Sequence, residues 1–259
     1  MGKTIIIIGI GAGDPDHLTI QAAKALNRVD AVFLMDKGPA KDKLIALRRE
    51  ICRRHIVDRP YRFVDATSPE RERDGDYRAA VADLNARKQA TFDRLIGDEL
   101  KDGECGAFLV WGDPSLYDST IRIVEAIEAS GRHDFDWEVI PGVTSLQALT
   151  AKHRTTLNTI SGAVAVTPGR RLAEQFAGAS ESVAVMLDAD NAFLTLPDKE
   201  QVEIFWGAYV GTPDEILVSG KLSDVADEIV RLRSEARKAN GWIMDSYLLR
   251  KASSPEDDG

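Results

Sequence analysis

Residues Trp111 to Thr120, WGDPSLYDST, set two carboxylates, Asp113 and Asp118, beside the hydroxyls of Ser115 and Tyr117 in one short segment. Groups of this kind can orient a ligand, hold a water or take a proton. The segment follows Ala107-Phe108-Leu109-Val110, an apolar run between Gly106 and Gly112-Asp113-Pro114 that reads as a short buried strand. In open parallel sheets the crevice beyond the carboxyl ends of the strands is the usual ligand position. A plain turn is the competing reading, because Gly, Asp and Pro favour turns for local reasons.

A second candidate is Gly9-Ile10-Gly11-Ala12-Gly13-Asp14, directly after the apolar run Ile5 to Ile8. The dinucleotide fingerprint GxGxxG would need a third glycine at position 14, and Asp14 stands there instead. A carboxylate at a helix start repels a pyrophosphate seeking the same amides, so the loop suits a neutral or cationic ligand. A tight strand-to-helix connection would use the same glycines.

Other chemistries lack their residues. His17, His55, His133 and His153 form no metal-binding array, and Cys52 and Cys105 have neither metal-like spacing nor the numbers for a disulfide framework. A net charge of −9 argues against a general nucleic-acid binder. One stretch runs the other way: Lys37, Lys41, Lys43, Arg48, Arg49, Arg53, Arg54, Arg59 and Arg62 could receive an acidic ligand. A solvated helix face explains most of them, leaving Arg59 and Arg62, beyond the helix, as the pair to watch. No apolar run is long enough to span a bilayer, and the chain starts as a strand rather than a leader, so a cytoplasmic protein is expected.

The elements that must hold these groups alternate. Strands are expected at Ile5–Ile8, Ala31–Met35, His55–Tyr61, Ala107–Val110 and Trp137–Ile140. Helices are expected from Leu18 to Val29, Leu44 to Arg54, Arg78 to Leu100, and around Ile121, Val124 and Ile127. Lys88 interrupts the apolar stripe of the third helix. This order predicts an α/β fold with a mostly parallel sheet covered on both faces. Pro141-Gly142-Val143-Thr144-Ser145 opens a further turn and helix. The second half is richer in strands, at Ala163–Val166, Val183–Met186, Val202–Trp206, Glu215–Val218 and Ile243–Leu249, with a domain boundary near Leu157–Gly162. The expected division is residues 1–158 and 159–251, followed by a fraying tail at 252–259.

Taken together, Gly9 to Asp14 with Leu18-Thr19, Gly112-Asp113-Pro114, and Pro141 to Ser145, in this order at strand ends, resemble the tetrapyrrole methylases over nearly the whole chain. The resemblance implies two α/β domains with an S-adenosylmethionine cleft between them and a homodimer. It implies cofactor contacts from Pro15, Gly112, Asp113, Leu116, Thr144, Ser145, Met186 and the turn Tyr209-Val210-Gly211. Core packing is the rival reading for Met186, and turn capping for Asp113.

DKGPAKDKLIALRREIC, WGDPSLYDST, FWGAYVGTPDE and GWIMDSYLLR narrow the likeness to a branch that methylates C1 of precorrin-5 and releases acetate in aerobic cobalamin biosynthesis. Asp36 matches a proton acceptor proposed in a related methylase, and Arg59 falls where that enzyme has lysine. Arginine is the worse acid, so Arg59 would clamp a carboxylate, with Arg62, Arg170 and Arg171 as further partners. Asp36 reads equally as a turn residue, and Arg170 and Arg171 as a solvated loop. Tyr117 and Asp118 are candidates to act near the acetyl group. The residues leave open a methylase of the same fold acting on another tetrapyrrole or a macromolecule, a nicotinamide-dependent oxidoreductase, and a ligand sensor without turnover.

Overall fold

A computed structural model of the chain describes residues 2–36, 38, 42–57, 59–69, 77–178 and 181–251. The chain forms two compact units, Met1–Thr144 and Ser145–Gly259.

In the first unit β1 (Lys3–Gly9), α1 (Ile20–Leu26), β2 (Ala31–Asp36), α2 (Asp42–His55) and β3 (Arg62–Thr67) are followed by α3 (Tyr77–Asp98), β4 (Cys105–Val110), α4 (Thr120–Ala129) and β5 (Phe135–Ile140). The strands form one parallel sheet in the order β3-β2-β4-β1-β5. β1 is apolar without alternation because both its faces are covered: Ile6 and Ile8 pack with α1 and α2, and Ile5 and Ile7 with α3 and α4. β1 and β2 therefore hand the chain to helices on one face, and β4, which lies between them, hands it to the other. Right-handed crossovers force this arrangement and open a crevice on each side of β4 at the carboxyl edge.

The crevices differ. Beside β1 the ladder runs to the end, Gly9 opposite Val110. Beside β2 it stops at Phe33 opposite Phe108, while β2 continues against β3 as far as Asp36.

The second unit starts with α5 (Ser145–His153) and continues through β6 (Val164–Pro168), α6 (Leu172–Ala177), β7 (Ser182–Met186), β8 (Val202–Ala208), β9 (Ile216–Lys221), α7 (Leu222–Asn240) and β10 (Asp245–Lys251). Its sheet order is β6-β7-β10-β8-β9, with β6 and β7 parallel and the other neighbours antiparallel. Trp206, Tyr209, Tyr247 and Phe193 fill its core. Arg233 of α7 is buried there, donating through Nε to Asp245 Oδ2 at 2.9 Å and through Nη2 to the Asp188 carbonyl.

Three expectations need correction. The third strand lies at Arg62–Thr67 rather than His55–Tyr61, since His55 still belongs to α2 and Pro60 has no N–H for a ladder. As an edge strand it is only half-buried and tolerates Asp65. The division falls at Thr144 rather than near Leu157–Gly162, because α5 packs on β8 and β10. His153 contacts the Trp206 carbonyl at 3.0 Å, and Lys152 pairs with Glu215. Finally, α7 is a helix that the strand-rich reading of the second half omits. Its buried positions Leu222, Ala226, Ile229, Arg233 and Ala236 keep helical spacing, but one of them is charged. The expected tail at 252–259 lies outside the described residues.

Candidate active site

The carboxyl ends of β4, β1 and β5 are drawn together by glycine. A side chain on Gly142 would overlap the Gly112 carbonyl oxygen, and a Cβ on Gly9 would stand 2.6 Å from the Gly142 nitrogen. Gly112, at φ +69°, exchanges backbone hydrogen bonds with Gly11, its N–H donating at 2.8 Å and its carbonyl accepting at 3.3 Å. The glycines of the first two loops thus serve approach between backbones.

Asp113 clasps this junction. Its Oδ1 accepts from the Ser115 backbone N–H at 2.8 Å and from the Ser115 hydroxyl, and its Oδ2 accepts from the Gly142 N–H at 2.8 Å. Burial works to raise its pKa, but the donors at Ser115 and Gly142 together outweigh it and hold the carboxyl below the usual aspartate value. The turn and cleft roles expected of Asp113 merge, because it fixes the loops through side-chain bonds to both. Leu116 is half-buried, and its N–H bonds the Asp113 carbonyl at 3.2 Å. Tyr117 is held at φ +53° with its side chain 44% exposed, an unusual backbone state for an aromatic residue. Asp118 accepts from the Thr120 N–H at 2.7 Å, satisfying a free donor at the start of α4.

In the first loop Asp14 accepts from the Asp16 N–H, and Pro15 opens a three-residue 3₁₀ turn. α1 begins only at Ile20, capped by Thr19. No α-helix N-terminus therefore follows the glycines directly, which removes the phosphate cradle of a dinucleotide fold. The loops after β1, β4 and β5 carry Asp14, Asp16, Asp113 and Asp118 and no lysine or arginine. Asp36, exposed at the end of β2, lies on the same edge and accepts from the Gly38 N–H at 2.8 Å, so its turn role is realised while its second oxygen has no hydrogen bond within the described residues.

Thr144 ends the first unit close to Gly112, its Cα 3.8 Å from where a Gly112 Cβ would stand. Ser145 opens α5. In the second unit β7 and β8 both run antiparallel to β10, so Met186 and Tyr209-Val210-Gly211 lie on one sheet edge, flanking the start of β10. Met186 is half-buried at that edge. Tyr209 turns its ring into the core, where its hydroxyl donates to the Trp242 carbonyl at 2.5 Å, and burial pushes the phenol above its usual range. Only its backbone, at φ +49°, faces the turn; Val210 is buried, and the Gly211 N–H donates to Glu215 at 2.7 Å.

The basic stretch resolves differently from expectation. Arg59 is bonded to Asp30 and to the Asn27 carbonyl, and Arg62 forks onto Glu104. Both lie where the strands begin, at the end of the parallel sheet opposite the ligand edge, so neither is the carboxylate clamp expected of it. Arg170 is exposed, and Arg171 pairs with Glu174. Lys37 and Lys41 lie outside the described residues, and among the described residues of the stretch Arg48 does reach the carboxyl edge. It donates through Nε to the Leu109 carbonyl at 3.1 Å, the group left free where β2 and β4 part. A sequence signal existed: Arg48 sits between Leu44 and Ile51 on the apolar stripe of α2. Among the described residues no three His, Cys, Asp or Glu side chains are grouped to hold a metal, and no helix is long and apolar enough to cross a membrane.

Two α/β units, with glycine-built loops converging at the carboxyl edge of the first sheet, are the architecture the motifs implied. The family model for tetrapyrrole (corrin/porphyrin) methylases matches residues 4–226, and the chain belongs to that family. Within it, the precorrin-6A synthase (deacetylating) of Sinorhizobium sp is 48% identical over 252 residues, which cover 97% of this chain and 96% of that protein. Among solved structures, a cobalamin synthesis related protein (CobF) from Corynebacterium diphtheriae superposes with a TM-score of 0.84 at 35% identity, over 98% of this chain and 100% of that one. The cobalt precorrin-4 methyltransferase CbiF, at 19% identity and a TM-score of 0.57 over 96% and 94%, shares the fold.

Proposed function

We propose that the chain is an S-adenosylmethionine-dependent methyltransferase that converts precorrin-5 to precorrin-6A, methylating C1 and releasing acetate. The observation that carries this reading is the near full-length 48% identity to a precorrin-6A synthase (deacetylating). The loops agree with it: those after β1, β4 and β5 carry carboxylates and no lysine or arginine, which suits a positively charged donor and repels a dinucleotide. When bound, the donor supplies a methyl group on a cationic sulfur.

The protein's task is mainly positioning and exclusion of water. The bonds from Asp113 to Ser115 and Gly142 hold the β4 and β5 loops in one geometry, so that their backbone groups, with Pro15, Leu116 and Thr144, can bind the donor. The family resemblance implies further donor contacts from Ser145, Met186 and the Tyr209-Val210-Gly211 turn, the last through its backbone. For the release of acetate, Asp36 accepts a proton from the water that adds to the acetyl carbonyl; the bond from the acetyl carbon to the ring carbon then breaks, its electron pair stays on the macrocycle, and the water oxygen leaves in acetate. Tyr117 and Asp118, suggested by their loop, orient the acetyl. The chain acts in the cytoplasm, and as a homodimer, the latter being what the family resemblance implies.

Incubation with precorrin-5 and S-adenosylmethionine, followed by mass, tests this directly. A product that has gained one methyl and lost its acetyl is expected. Methyl gain with the acetyl retained would mean the right donor and the wrong specific reaction.

A further inference from the structure

On the β2 side of β4 the parted strands enclose a cavity of about 140 Å³, separate from the glycine junction on the β1 side. Among the described residues two cations reach it from different helices, and each occupies a place where its helix should be apolar. Arg48 interrupts the stripe of α2, and Lys88, spaced between Leu84 and Phe92, interrupts that of α3. Such placement costs stability unless a counter-charge is supplied. Burial pushes the Arg48 guanidinium down to about 10, with Asp118 opposing, so it stays charged at neutral pH. Lys88 has no hydrogen bond or ion pair with the described residues. Among the described residues of the lining Asp118 is the acidic one, set against the two cations Arg48 and Lys88. Trp111 also lines the cavity, and its indole N–H is shut off from solvent with no partner. Phe33, Phe92 and Phe108 supply apolar wall.

We propose that this cavity binds a carboxylate on a short alkyl group, with Lys88 and Arg48 as counter-ions and the Trp111 indole N–H as a donor. A cavity of this size can hold a group of about six heavy atoms, which fits an acetate or propionate. Taken with the proposed function, on which this part rests, the carboxylate is either a side arm of the macrocycle or the acetate released.

Titration of the full-length protein with sodium acetate and sodium propionate, against sodium chloride at equal ionic strength, reads the site through the indole N–H signals in nitrogen-edited NMR. One signal, identified by its loss in Trp111→Phe, shifts saturably. Lys88→Met, checked for folding by its remaining spectrum, weakens the binding by roughly tenfold or more. No saturable shift, or a shift unchanged in Lys88→Met, overturns the proposal. Turnover separates the sources: inhibition by acetate competitive with precorrin-5, with a raised KM in Lys88→Met, marks a substrate arm, whereas acetate inhibition noncompetitive with precorrin-5 marks a product site. Calorimetry with S-adenosylmethionine is the independent check. Failure there would remove the methylase reading while the carboxylate titration still stands or falls by itself.

Discussion

Asp113 shows how a residue can serve a ligand site while every one of its bonds is internal. Asp113→Ala leaves the Gly142 N–H without its acceptor and should cost about 1–3 kcal/mol in urea unfolding. It should also weaken S-adenosylmethionine binding by calorimetry, and unchanged affinity would show that the clasp does not shape the donor site. Asp36 differs, since only one of its oxygens is bonded within the described residues. Asp36→Asn should slow turnover far more than it alters donor affinity, and full activity would leave it a turn residue. Acid behaviour reports a further side chain. Hydrogen bonds from Arg62 and then the Lys101 N–H hold Glu104 down at about 2. Because the folded value is depressed, its contribution is complete above the ordinary glutamate value and fades as pH falls through about 2. The difference in urea midpoint between wild type and Arg62→Met should therefore be present at pH 6 and shrink steadily below pH 4.

At the level of elements, the site depends on three strand ends meeting without side chains. Gly142→Ala pushes a methyl group into the Gly112 carbonyl and should destabilise by about 3 kcal/mol or more, with donor binding lost in parallel. In the second unit α7 rests on a buried ion pair, Arg233 with Asp245, whose side chains are 7% and 5% exposed. Arg233→Met strands Asp245 and should cost about 3–5 kcal/mol in thermal or urea unfolding. Much of the element order was legible because α/β alternation writes itself into hydrophobic period: Ile5 to Ile8, Ala31 to Met35 and Ala107 to Val110 are continuous apolar runs in two-faced strands. β3 and α7 were harder to read for one shared reason. Each carries a charged residue where the pattern calls for an apolar one, Asp65 on a half-exposed edge and Arg233 in a paired core site.

For the whole molecule, the charge of −9 predicts that the protein will not be retained on RNA at physiological salt; retention would favour a macromolecular substrate over a tetrapyrrole. Light scattering should give twice the 28.4 kDa chain mass if the homodimer reading holds. The family was legible in the sequence because its loops depend on glycine, proline and aspartate at strand ends, residue types whose backbone needs are local. The same locality let Asp14 argue against a dinucleotide. Which cation reaches the carboxyl edge was not legible, since a run of basic residues has no direction until strands are ordered. The parallel sheet sends Arg59 and Arg62 to its far end, paired with Asp30 and Glu104, and turns Arg48 inward beside Lys88, which lies 40 positions along the chain (88 − 48). The sequence by itself determined the motifs, the class and the exclusions, because those rest on residue type and short spacing. The tertiary structure alone decided which charges find partners and which face a cavity, because electrostatic pairing depends on distance in space.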